Sequence, residues 1–295
     1  MSAAPSWHLG HLVGLDTETT SPEPTEARIV TAAIVHVSPT ARPRSMQWLI
    51  HPQTDIPDEA AEIHGWTLPR LEQRLQGHEA LRIYQGQERF LTRDAALFEI
   101  AGQAASAMGR ETPLIVHNAA FDLTLLEAEL ERNGIDTLAS RPAGIRGVID
   151  PMVLEQHFDR YRKLCYAAPG CDRENRHHEC GGCQGSKKYS CGGCGATNRQ
   201  LSSLCAHYGL VLAGAHDAEA DTLGALRLAW KLGTLSPELA RLRLQTLHKK
   251  QVEWRRDQQF RLKAFFEKVG KPTDDMCPEW PVHLECLRER QAVPA

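Results

Sequence analysis

The chain has 295 residues, 42% of them hydrophobic and 24% charged, with a formal net charge of −3. That is enough apolar material for one large packed domain or two modest ones, and it excludes a chain that is disordered throughout. No run of 18 apolar residues occurs, so no transmembrane helix is predicted, and residues 1–12 lack the basic-then-apolar order of a signal peptide. A cytoplasmic protein without a membrane partner is expected. Nine cysteines is an odd number, and seven of them fall within 165–205. Such clustering in a reducing compartment points to metal and argues against a disulfide framework. The charge is uneven: 160–199 carries +5 and 236–295 carries +3, which leaves −11 for the rest. An acidic body with two basic additions suits a metal-using enzyme that meets a polyanion, although solvated faces produce the same pattern.

Strand-like segments come first. Residues 11–17 are apolar and end in carboxylates, 28–37 are rich in Ile and Val, and 44–51 alternate with Met46, Trp48 and Ile50 on one face. Short polar connections between them predict an antiparallel meander. The period then changes. Residues 93–109 are Ala-rich and helical, 113–118 read as a buried strand, and 121–133 as a helix with Leu123, Leu126 and Leu130 on one stripe, closed by Gly134. A short strand at 147–150 precedes a helix starting at Pro151, a favoured first helical position. Helical signal returns at 200–208, 217–232 and 236–269, and 271–295 reads as a loosely packed tail. Strands followed by alternating helix and strand predict an α/β domain with a mixed five-stranded sheet flanked by helices, antiparallel among its first three strands.

Three acidic groups stand at element junctions. The first strand ends in Asp16-Thr17-Glu18, and carboxylates two apart on a strand share a face. Placed together they repel unless a cation lies between them. His117-Asn118-Ala119-Ala120-Phe121-Asp122 follows a buried strand and opens a helix. His216-Asp217-Ala218-Glu219-Ala220-Asp221 opens a later helix. Each alone also reads as ordinary exposed turn chemistry.

Taken in order, these motifs resemble the three exonuclease motifs of the DEDD superfamily, and the histidine five residues before Asp221 is similar to its DnaQ-like branch. That branch includes proofreading epsilon subunits and ribonuclease T. His64-Gly65-Trp66, after Ile56-Pro57, resembles the same branch's His-Gly loop. The resemblance covers about residues 11–233 outside the cysteine segment and implies a ribonuclease H-like fold. It implies metal-dependent 3′→5′ hydrolysis of nucleic acid at the 3′ end, single-stranded DNA first, releasing nucleoside 5′-monophosphates in repair or proofreading. By analogy Asp16 bridges two Mg²⁺ or Mn²⁺ ions, Glu18 and Asp221 hold the ion near the nucleophile, Asp122 supports the second, and His216 is the general base. Hard oxygen donors suit those ions. The resemblance also implies a terminal-nucleotide pocket of Thr17, Thr19, Ile63, His64 and Phe121. Asp150 sits at a strand end but matches no metal position of the family. An RNA-trimming exoribonuclease and a non-catalytic nucleic-acid-binding zinc protein are the alternatives.

The chain departs from that family in its Cys-rich segment. Cys180-Gly-Gly-Cys183 and Cys191-Gly-Gly-Cys194 are seven residues apart, and two Cys-x2-Cys pairs can turn four thiolates onto one tetrahedral Zn²⁺. Cys171, His177 and His178 lie close enough in sequence to replace a ligand, and a free-thiol or redox loop is the alternative. Arg173, Arg176, Lys187 and Lys188 would meet phosphate. The expected organisation is an exonuclease domain over 8–235 interrupted by a zinc-binding insert at 162–198, a helical extension at 236–270 and a tail at 271–295. Within the extension, Gln259-Phe260-Arg261-Leu262-Lys263-Ala264-Phe265-Phe266 has the residue types of a sliding-clamp peptide, but the same spacing in a helix builds a core stripe, which is the reading preferred here. A polymerase or clamp partner thus rests on this stretch alone.

Overall fold

The computed structural model describes residues 6–160, 199–212, 214–273 and 276–291. Strands β1 (Leu12–Thr19), β2 (Ile29–Ser38) and β3 (Ala41–Ile50) form the expected antiparallel meander. Two short helices, α1 (Asp58–His64) and α2 (Leu68–Leu75), lead into strands β4 (Ala80–Tyr84) and β5 (Gln87–Leu91). Then come α3 (Arg93–Gly109), β6 (Leu114–Ile115), α4 (Ala119–Arg132), β7 (Val148–Ile149) and α5 (Pro151–Phe158). The chain continues with α6 (Leu201–His207), α7 (Ala218–Leu235), α8 (Pro237–Arg241), α9 (Leu244–Lys268) and α10 (Leu284–Gln291).

All strands among the described residues join one mixed sheet in the order β5-β4-β3-β2-β1-β6-β7, with β6 and β7 parallel to β1. The sheet has seven strands, not five. The two additional ones are a hairpin whose two-residue turn, Gln85 and Gly86, has φ of 51° and 76°, the positive pair that a tight hairpin favours. Periodicity missed β5 because it is a five-residue edge strand beginning Gln-Glu-Arg, whose two apolar residues, Phe90 and Leu91, come only at its end and fall on opposite faces.

β1 alternates between two helix layers. Val13 and Leu15 point into a core with α3 and α4, while Leu12 belongs to a core with α5, α6 and α7. Gly14 lies on the α7 side, and a Cβ there would sit 2.5 Å from Thr222 Cγ2 and 2.9 Å from Leu226 Cγ. Its missing side chain is what lets α7 lie against the strand.

The C-terminal segment is not a loose tail. Cys277, Trp280 and Leu284 are buried, and Trp280 joins the core beside α4. Its backbone is tied by a bond from His283 N–H to the buried Thr124 Oγ1 of α4, 3.0 Å, and Arg288 pairs with Glu131. A single large indole placed after a Pro-containing stretch supplies this anchor, which no periodic pattern announces. Contrary to the expectation against disulfides, Cys277 and Cys286 are paired, with Cα atoms 6.5 Å apart. The core reading of the 259–266 stretch is also overturned. Phe260 and Phe265 are 57% and 56% exposed, because α9 buries Leu247, His248, Gln251, Gln258 and Gln259 and then runs out past the body. The zinc-ligand set Cys180, Cys183, Cys191 and Cys194 lies outside the described residues.

Candidate active site

The acidic residues meet at the C-terminal end of β1. Asp16 and Glu18 alternate with Thr17, and the bulge between Glu18 and Thr19 ends the regular pairing with β2 there. Asp122 comes from the first turn of α4 on the opposite side of the sheet, and the Thr17 hydroxyl donates to its Oδ1 over 2.6 Å. Asp221 comes from the first turn of α7, the helix admitted by Gly14. Asp217 caps that helix, accepting from the N–H groups of Glu219 and Ala220. His216 sits in the preceding turn with φ 67°, exposed, and its backbone N–H donates to Asp221 Oδ2 at 3.2 Å. Donor atoms of Glu18, His216 and Asp221 lie within 4.8 Å of one another.

A cavity of about 490 Å³ collects Asp16, Glu18, Asp122, Asp221 and His216, together with Thr17 and Phe121 from the expected pocket set. Thr19, Ile63 and His64 do not line it. Ile63 is 57% exposed. The buried His64 ring faces the Thr19 carbonyl at 3.3 Å and accepts from Trp66 N–H, so these two residues brace the end of β1 from outside.

Burial and repulsion from neighbouring carboxylates raise all four carboxyls of the cluster. Burial, then Asp122, Glu18, Asp221 and Asp217, hold the Asp16 carboxyl well above the carboxylate range. Burial and the charges of Asp221, Asp122 and Asp217 raise Glu18 to about 8. Asp122 is raised to about 7 by burial, with the Thr17 bond opposing. Asp221 is raised by burial, and its buried Oδ1 has no hydrogen-bond partner among the described residues. Four mutually repelling carboxylates with an unsatisfied inward oxygen fit hard divalent ions such as Mg²⁺ or Mn²⁺.

Three further residues shape the site and were not singled out from sequence as functional. Asp150, 1% exposed, accepts from Asn118 N–H and Ala119 N–H at 3.1 and 3.0 Å, from Met152 N–H at 2.9 Å and from the Trp280 indole at 3.3 Å. One carboxylate thus caps both α5 and α4, the helix that carries Asp122. It is not one of the acids that line the cavity. Its position before Pro151 is a legible cap signal for α5, but nothing local in sequence links it to α4. Asn118, which precedes α4, takes a left-handed conformation with φ 61°. Arg199 lines the cavity, held by Glu155 at 2.6 Å and by the Asp159 carbonyl at 3.1 Å, while its own carbonyl accepts from His117 Nε2 at 2.9 Å.

No family model matches the chain, and no curated protein matches it. Solved structures do. E. coli exonuclease I in complex with a dT13 oligonucleotide is 17% identical, with a TM-score of 0.50 over 78% of this chain and 42% of that one. A moderately thermophilic exonuclease I from Methylocaldum szegediense is 18% identical, with a TM-score of 0.51 over 87% and 46%. The zinc-ion-bound form of an E. coli exonuclease I–ssDNA complex gives 16% and 0.50. The chain spans less than half the length of these neighbours. At such identities the likeness concerns architecture, and it agrees with the ribonuclease H-like fold expected from the motifs. The chain therefore shares the α/β, ribonuclease H-like fold of these exonuclease I structures.

Proposed function

We propose that this protein is a divalent-metal-dependent 3′→5′ exonuclease that removes nucleoside 5′-monophosphates from single-stranded DNA. One observation carries the reading: Asp16, Glu18, Asp122 and Asp221 come from three separate elements into one cavity, where the charges of Asp221, Asp122 and Asp217 raise Glu18. Such an arrangement stores repulsion that a bound cation relieves without protonating the carboxylates. The single-strand preference is supported by the fold shared with exonuclease I, whose structures contain dT13 and dA16 oligonucleotides.

In this reading Glu18 and Asp221 would hold one ion, Asp122 would support a second, and Asp16 would serve as a ligand to the pair. When bound, the pair supplies a water of lowered pKa and stabilises charge on the leaving oxygen. The protein's own residues do the rest. Thr17 fixes the carboxylate of Asp122 by its hydroxyl. His216, exposed at the cavity edge, takes the proton of the attacking water. Its backbone bond to Asp221 keeps base and ligand in one turn. Phe121 offers an apolar ring to the terminal nucleotide, and Arg199 offers a guanidinium to phosphate. Water adds to phosphorus, the bond to the 3′ oxygen of the preceding nucleotide breaks, and the 5′-phosphate leaves with the terminal nucleoside.

Four thiolates, Cys180, Cys183, Cys191 and Cys194, are proposed to bind one structural Zn²⁺. A tetrahedral set of four protein ligands leaves no position for catalysis. The test of the whole reading uses matched 5′-labelled DNA and RNA oligonucleotides, single-stranded and 3′-recessed, with Mg²⁺ or Mn²⁺. Stepwise shortening from the 3′ end is expected, and both EDTA and Asp16→Ala should stop it. Activity that survives either change, or tight binding with no cleavage in both metals, overturns it.

A further inference from the structure

The C-terminal segment contains a second group of soft donors, remote in sequence from the cysteine cluster. Cys277, Glu279 and Cys286 bring a sulfur, a carboxylate oxygen and a sulfur to within 4.8 Å of one another. Cys277 is buried, Cys286 half-buried and Glu279 exposed. A disulfide explains two of these residues and has no use for the third. A carboxylate beside two sulfurs also discourages ionisation of free thiols, unless a cation is shared among them. The Cα separation of 6.5 Å lies near the upper end of the span for disulfides, about 4.4–6.8 Å. It equally suits two thiolates on one tetrahedral ion, whose sulfurs stand about 3.8 Å apart for Zn–S bonds of about 2.3 Å.

We propose that Cys277, Glu279 and Cys286, in the reduced chain, form a binding site for one Zn²⁺-class ion that clasps the C-terminal segment onto the body. The chemistry balances in two steps. Two small-molecule thiols reduce the Cys277–Cys286 bond, leaving two protein thiols and one small-molecule disulfide. Zn²⁺ then displaces two thiol protons and accepts two sulfurs and one carboxylate oxygen, with water in the fourth position. Soft sulfur donors select zinc over the Mg²⁺ or Mn²⁺ suited to the acidic cavity.

The location gives the ion something to hold. The ten residues from Cys277 to Cys286 include Trp280, whose indole donates to Asp150, the cap of α4. They also include His283, whose N–H donates to Thr124 on the same helix. An ion at the clasp closes the loop that presses both onto α4. Without metal or disulfide, the Trp280–Asp150 and His283–Thr124 bonds, the Arg288–Glu131 pair and the burial of Trp280 would still hold the segment, but its ends would no longer be joined to each other.

The experiment reads zinc, not nuclease activity, so it fails independently of the proposed function. The full chain is purified in excess small thiol, loaded with Zn²⁺ and examined by native mass spectrometry. Wild type is compared with Cys286→Ser, Cys277→Ser and Glu279→Gln. Cys286→Ser and Cys277→Ser should each lose one zinc per chain relative to wild type, and Glu279→Gln should weaken that same equivalent about tenfold. Substituting Co²⁺ should give a thiolate charge-transfer band that Cys286→Ser diminishes. Should buried Cys277→Ser fail to fold, the half-buried and exposed positions still decide the matter. Equal zinc content in wild type, Cys286→Ser and Glu279→Gln overturns the proposal. So does a wild-type chain that stays two hydrogens light in excess thiol, because that mass marks a plain disulfide.

Discussion

Thr17 and Asp122, 105 positions apart, share a hydrogen bond of 2.6 Å that joins the C-terminal end of β1 to the first turn of α4. Both residues are buried, and the hydroxyl lowers a carboxyl pKa that burial raises. Thr17→Val should therefore push Asp122 further up and loosen its hold on a divalent ion. By the usual effect of removing a partner of a metal ligand, activity should fall roughly 10–100-fold. The loss should appear partly as a higher Mg²⁺ or Mn²⁺ concentration for half-maximal rate, and Thr17→Ser should restore most of it. An unchanged metal requirement in Thr17→Val would show that the bond serves packing alone.

The acidic cavity should make the metal-free protein less stable as pH rises. Glu18 has a folded pKa of about 8 against an ordinary 4.5, so the folded state holds this proton more tightly than the unfolded one. Its contribution is full below about 4.5 and is lost as pH climbs through about 8. Melting temperature in EDTA should fall across that window, and adding Mn²⁺ at pH 8 should reverse the fall. Asp16→Asn removes one repelling charge, so it should raise the metal-free melting temperature at pH 8 while abolishing hydrolysis. Each kcal/mol relieved corresponds to about 2–4 °C. A melting temperature that rises with pH in EDTA would contradict this account.

Gly14 tests the approach of α7. In Gly14→Ala the new Cβ meets Thr222 and Leu226 on the helix that carries Asp221. Overpacking of this kind costs about 1–3 kcal/mol, seen as a lower denaturant midpoint. The helix must shift to accept it, so the rate should drop by more than the folded fraction does. Activity proportional to folded protein would mean that α7 adjusts without moving Asp221.

Asp150 should matter although it touches no substrate. Asp150→Ala leaves four donors without their acceptor: three backbone N–H groups and the Trp280 indole. Unpaired buried donors cost about 1–3 kcal/mol each before relaxation, so destabilisation of at least about 3 kcal/mol is expected in urea unfolding. Folded Asp150→Asn protein should need more metal than wild type, because α4 positions Asp122. Wild-type metal dependence in that variant would confine Asp150 to stability.

Much of the site was legible in the sequence because its motifs are local. Asp16 and Glu18 share a strand face by alternation, and Asp122 and Asp221 fall in first helical turns marked by His-Asn and His-Asp boundaries. The β4–β5 hairpin was not legible by alternation, although the glycine in its two-residue turn was a signal within reach. Trp280 and Asp150 escaped for a different reason. Each looks like a solitary residue in its own segment, and their roles exist only across separations of 130 and 31 positions.

Taken alone, the sequence determined which side chains can carry charge, the strand and helix periods, and the order of the acidic motifs, because these depend on neighbours a few residues away. Tertiary structure decided that three distant acidic segments share one cavity, that Thr17 and Phe121 enter it while Ile63 does not, and that the end of α9 leaves Phe260 and Phe265 in solvent. It also decided that the C-terminal segment closes on α4. Those outcomes follow from packing and burial between remote elements: Gly14 admits α7, and the Trp280 indole finds its acceptor only once α4, α5 and the sheet are assembled.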